Sequence, residues 1–111
     1  MIDIARTTED GVTVLRCDGR LTMVAAPRLR TVLDEVVADG GHRIVVDLSA
    51  TTFVDSSGLG ALVHGLKATR VAGGDLRIAG ASDQVLAVLR LTNLNRVLRP
   101  YADVAEASSE W

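Results

Sequence analysis

The stretch RIVVDLS, residues 43–49, sets the firmest limit on how this chain folds. Ile44, Val45 and Val46 follow one another with no polar residue between them. A strand alternates its side chains between two faces, so this one is apolar on both and has to be covered on both. The segments on either side of it have the spacing of helices. In APRLRTVLDEVVADGG (26–41), Leu29, Val32, Leu33, Val36 and Val37 make one apolar stripe. Pro27 suits an early helical position, and Gly40-Gly41 stops the helix. A buried strand between two helices predicts a mostly parallel sheet.

The remaining segments extend the pattern. MIDIARTT and VTVLRC read as two strands joined at Asp10-Gly11, a strong hairpin signal. They predict an antiparallel edge, with Ile2, Ile4, Val12, Val14 and Arg16 alternating as in a sheet with one wet face. GRLT (19–22) breaks the alternation. DLRIAG (75–80) is a further strand, and SDQVLAVLRLTN (82–93) a helix with Ser82 or Asp83 as N-cap. RVL (96–98) reads as a last short strand, and Pro100 as the start of a terminal helix. The expected fold is α/β: a mixed, mostly parallel sheet of about five strands with an antiparallel N-terminal edge, packed with about four helices. A length of 111 residues suits one domain over 1–111.

Composition narrows the function classes. Apolar residues make up 48% and aromatic ones 3%, so the core is aliphatic and there is no platform for stacking bases. The net charge of −2, with the signs interspersed, argues against direct binding to nucleic acid. Cys17 stands alone, with no partner for a disulfide or a zinc site, and reads as a small buried residue in a reducing compartment. No apolar run approaches the ~18 residues of a membrane span, and the N-terminus lacks a signal-peptide pattern. A cytoplasmic protein is expected, with no membrane association, metal or cofactor.

The segment FVDSSGLGALVHGLKATRVAGG (53–74) carries the functional question. At about 100° per residue, Leu59, Leu62, Val63, Leu66 and Arg70 fall on one side of a helix, which faces the sheet. Gly58, Ala61, Gly65 and Ala68 form a ridge of small residues on another side, with Gly60, His64, Lys67 and Val71 between. Each interior glycine costs up to ~1 kcal/mol relative to alanine. That cost is consistent either with close approach by a partner or with close packing inside the fold. Ser56 and Ser57 at the helix mouth have three readings: an N-cap, a nucleophile, or a site where charge is added and removed. A nucleophile elbow needs Gly-x-Ser-x-Gly, and Val54 stands where the first glycine belongs. His42 precedes a strand at the opposite end from Asp55. His64 lies roughly 12 Å along the helix from Ser56. With no acid–base pair or metal cluster to assemble, no catalytic residue is assigned and an enzyme is not expected.

The stretch IVVDLSATTFVDSSGLGALVHGLKATRVAGGDLRIAGAS (44–82) resembles the STAS domain of bacterial anti-sigma factor antagonists. The likeness rests on the Gly19–Leu21 turn, the strand ending at Asp47-Leu48, the Asp55-Ser56-Ser57-Gly58-Leu59-Gly60 signature and the Gly-Gly before the next strand. The resemblance implies a mechanism. Ser56 is phosphorylated by a partner that is both anti-sigma factor and serine kinase. The unphosphorylated form binds that partner and frees sigma, and a phosphoserine phosphatase restores it. The expected partner contacts are Thr22, Asp55, Ser57 and Gly58 around the helix mouth, with Ala61 and Gly65 of the small-residue ridge, on a monomer or weak dimer. Related readings within the fold are a non-phosphorylated scaffold or transport-associated subunit, and a sensor of a nucleotide or lipid. The chain departs from the family at Gly19-Arg20-Leu21-Thr22, where acids in the pattern Gly-Glu-Leu-Asp are common. That loop is expected beside Ser56, so the departure bears on partner choice and on phosphorylation efficiency.

Overall fold

The computed structural model describes residues 2–109 and 111. Among these residues six strands form one sheet: β1 (Asp3–Glu9), β2 (Val12–Leu21), β3 (Arg43–Asp47), β4 (Thr51–Val54), β5 (Asp75–Ala79) and β6 (Pro100–Tyr101). The helices are α1 (Ala26–Ala38), α2 (Ser56–Val71), α3 (Asp83–Leu91) and the short α4 (Val104–Ser108). The spatial order is β1-β2-β3-β5-β6, with β4 attached to β2. Among the described residues only β1 and β2 are antiparallel, and the other pairings are parallel. The β1–β2 turn is Asp10-Gly11, with φ of 53° and 77°, the left-handed pair that a two-residue hairpin requires.

The buried run of β3 explains the layering. Ile44 and Val46 join Leu15, Cys17, Leu76 and Ile78 against α1, α2 and α3, and Val45 faces the other way. On that second face Val12, Val45 and Ala79 meet Ala107 of α4, with Val14, Tyr101 and Trp111 around them. Arg77 ties this smaller layer down. Its Nη1 donates to the Ala107 carbonyl at 2.7 Å, and its guanidinium lies 4.0 Å from the Trp111 ring centroid. The β2 face carrying Val12, Val14 and Arg16 is therefore covered at Val12 and wet at Arg16.

Cys17 is fully buried, as a small apolar residue would be. Burial pushes its thiol up to about 12, with the nearby charge of Asp47 adding to the effect, so the thiolate needed for reactivity is suppressed. No helix among the described residues is long and apolar enough to cross a membrane.

Two sequence expectations need correction. GRLT does not interrupt the sheet, and Thr51–Val54 adds a strand that the sequence reading lacks. β3 ends at Asp47, and beyond it Gly19–Leu21 of β2 pairs with β4, with a shift of register between Gly19, at φ 125°, and Arg20. A glycine adopts this positive φ without the steric cost a side chain would bring. RVL is not a strand either: a 3-10 turn covers Leu94–Arg96, and Pro100 lies in β6. A proline lacks only the N–H, which an outermost strand can spare. The terminal helix begins later, where Asp103 caps α4 by accepting from the Glu106 N–H at 2.8 Å.

Candidate functional site

The chain passes from β4 into α2 at Asp55, and this residue organises the region. Its backbone is extended, and its Oδ1 accepts from the Gly58 N–H at 2.9 Å. Its Oδ2 accepts from the Met23 N–H at 3.1 Å, and its own N–H donates to the Leu21 carbonyl at 3.3 Å. One carboxylate thus caps α2 and pins the β2–α1 loop across the helix mouth. The N-cap expected at Ser56 or Ser57 is corrected to Asp55. The carboxylate has two acceptor oxygens and a negative charge that suits a helix N-terminus, whereas both serines already lie within the first turn.

Asp55→Ala removes both acceptances. The expected result is a loss of about 2–3 kcal/mol in chemical denaturation, together with faster amide exchange at Met23. A variant as stable as the parent would show that Asp55 does not hold this junction.

Releasing the serines from capping leaves them available. Ser56 is exposed at the first position of α2, and Ser57 is half-buried behind it. Neither hydroxyl has a hydrogen-bond partner among the described residues. Across the turn, the half-buried Thr22 accepts at its carbonyl from the Ala25 and Ala26 N–H groups, at 3.0 and 2.8 Å. That tight turn pushes Met23 and Val24 outward, to 71% and 85% exposure. Two apolar side chains therefore stand in water beside the helix mouth. Sequence reasoning missed them, although two apolar residues inside an apparent turn were the available signal. It also missed Gln84. Its Oε1 accepts from the Val54 N–H at 3.2 Å and its Nε2 donates to the Val54 carbonyl at 3.1 Å, closing the free edge of β4 just before Asp55. No local pattern announces such a contact.

The ridge of small residues is not part of the exposed site. Gly58, Ala61 and Gly65, expected as partner contacts, are buried. A Cβ on Gly58 would run into the Leu21 carbonyl, and one on Gly65 would lie 2.6 Å from Leu33 Cδ1 of α1. The glycines are there because α2 packs tightly on β2 and α1. Gly60 differs: it is half-buried, and a Cβ there would meet only Arg30 Nη2, at 3.2 Å.

Neither histidine stands beside Ser56 as a base. The Nε2 of His64 is engaged with Asp34 of α1 at 2.7 Å. His42 precedes β3 while Asp55 follows β4. Both strands run parallel to β2, which places the two residues at opposite ends of the sheet. No group of three or more His, Cys, Asp or Glu able to hold a metal occurs among the described residues. The site offers an exposed hydroxyl at a helix N-terminus, flanked by an apolar loop fixed in place.

Known proteins share this architecture. The STAS domain family matches residues 3–107. An anti-sigma-B factor antagonist of Staphylococcus aureus is 32% identical over 97 residues, covering 87% of this chain and 90% of the relative. A Thermotoga maritima crystal structure, described as an anti-sigma factor antagonist, superposes with a TM-score of 0.91 at 30% identity, covering 96% of this chain and 92% of that one. An anti-sigma factor antagonist from Mycobacterium paratuberculosis gives 0.90 at 28% identity, covering 99% and 93%.

Proposed function

This chain belongs to the STAS domain family, and we propose that it is an anti-sigma factor antagonist switched at Ser56. Unphosphorylated, it binds an anti-sigma factor with serine kinase activity and thereby frees a sigma factor. Phosphorylation of Ser56 ends the binding, and a phosphoserine phosphatase restores it. The chain is then a regulatory binding protein and not an enzyme. The curated relative's name supports the first part of this reading. The observation that carries the second is Ser56 itself: exposed, first in α2, and with its hydroxyl left over because Asp55 does the capping.

The physics of the modification fits the place. A phosphoserine adds about −1.5 to −2 charges, and a helix N-terminus presents unpaired N–H groups and the positive end of its dipole to such an anion. The domain itself tolerates the group. A partner packed against Thr22, Met23, Val24, Asp55 and Ser57 meets an added charge at the centre of the contact.

Incubation with the partner kinase and ATP is expected to add one phosphate, and Ser56→Ala to abolish its addition. Because Ser56 is exposed and caps nothing, that substitution is expected to change stability by no more than about 0.5 kcal/mol. Mass spectrometry that placed the phosphate on Ser57 alone would overturn the assignment.

A further inference from the structure

A cleft of about 350 Å3 opens beside the Met23-Val24 turn. Ile2 and the buried Ala25 line its apolar part, with Val24 exposed at its rim, and Arg20, Thr22 and Arg28 supply its polar part. Both guanidiniums are held. Arg20 rests over the Phe53 ring at 4.9 Å, and Arg28 Nη1 donates to the Ile2 carbonyl at 2.6 Å. Neither has a carboxylate partner among the described residues, and no acid lines the cleft. A chain of net charge −2 thus presents one corner where two fixed cations flank an apolar floor. Stacking and a backbone contact use part of each arginine and leave other N–H donors of the fork available to a carboxylate.

We propose that this cleft receives an acidic side chain from a protein partner, whose neighbouring apolar residues cover Met23 and Val24. The occupant follows from complementarity. Two preplaced guanidiniums suit a carboxylate, and exposed Met and Val beside them suit an apolar flank. Arg20 is then a specificity residue: it favours partners with an acid at the matching position and repels those with a base. The inference rests on the proposed function only in placing this partner at the same helix mouth.

The test uses the isotopically labelled chain and two synthetic amphipathic peptides, one of Leu and Glu and the other of Leu and Lys. The Leu-Glu peptide is expected to shift the amide resonances of Thr22, Val24 and Ala25 saturably, with affinity that falls as salt rises. The Leu-Lys peptide is expected to leave them in place. Arg20→Glu, on an exposed side chain, is expected to weaken the acidic peptide at least tenfold at low salt while the melting temperature holds. Arg20→Lys is expected to lose less. Equal binding of both peptides, perturbation elsewhere on the chain, no perturbation, or binding of anionic phospholipid vesicles in place of peptide would each overturn the proposal. Ser56 phosphorylation is scored separately, so a failed peptide arm with a modified Ser56 removes only this inference. A positive peptide arm with an unmodified Ser56 leaves it standing while the switch falls.

Discussion

Gly65→Gln is expected to destabilise the fold by about 3 kcal/mol or more, and Ala61→Glu to prevent stable folding. A Cβ at position 65 lies 2.6 and 3.0 Å from the two Leu33 methyls and 3.0 Å from Leu76 Cδ1. Leu33 and Leu76 are themselves buried, so neither has room to withdraw. The longer glutamine adds an amide to a region with no water to receive it. Ala61 is fully buried, and glutamate there places a carboxylate among aliphatic side chains. Domains of this size rest on roughly 5–15 kcal/mol in total, so a loss of several is decisive. Urea denaturation followed by circular dichroism measures it. A Gly65→Gln protein with an unchanged midpoint would return the ridge to the surface and reopen it as a partner contact.

The ridge shows where sequence reading stops. Periodicity places Gly58, Ala61 and Gly65 on one side of α2, but it does not distinguish an outer surface from the side that meets α1. That choice depends on Leu33, far away in the chain, whose methyls fill the space a side chain at position 65 would need. The buried strand at Ile44–Val46, the Asp10-Gly11 hairpin and a cap at Ser82 or Asp83, which the structure places on Ser82, were legible because each depends on a local rule: continuous apolarity, positive φ, or a short polar side chain before a helical run. β4 was not legible. Thr51–Val54 is short, and its partner, Gly19–Leu21, lies more than thirty residues earlier in the chain. The helix mouth was half legible. The Asp-Ser-Ser-Gly order marks the strand-to-helix turn. Which of the three polar residues caps the helix is decided by the Asp55 carboxylate reaching the Met23 N–H as well as its own helix. With the cap assigned to Asp55, Ser56 no longer has a structural duty.

Phosphorylation of Ser56 is expected to weaken binding to the anti-sigma factor at least a hundredfold. A charge buried unpaired in an interface costs several kcal/mol, and each 1.4 kcal/mol is a factor of ten in affinity. The phosphate stands at the mouth of α2, where Asp55 already contributes a negative charge and where a partner covering the exposed Met23 and Val24 has to meet it. The loss is confined to the complex, because the free domain holds the group at the N-terminus of α2 in contact with water. Ser56→Asp carries a single charge and less bulk, and is expected to fall between the two states with a loss of about tenfold. Ser56→Ala is expected to bind as the unmodified chain does, since the hydroxyl neither caps α2 nor has a partner to lose.

The most direct measurement is a calorimetric titration of one anti-sigma factor with the chain before and after stoichiometric phosphorylation. The switch predicts tight binding before and at least a hundredfold weaker binding after, with the melting temperature of the free chain nearly unchanged. Equal affinity in the two states would contradict it and place Ser56 outside the contact.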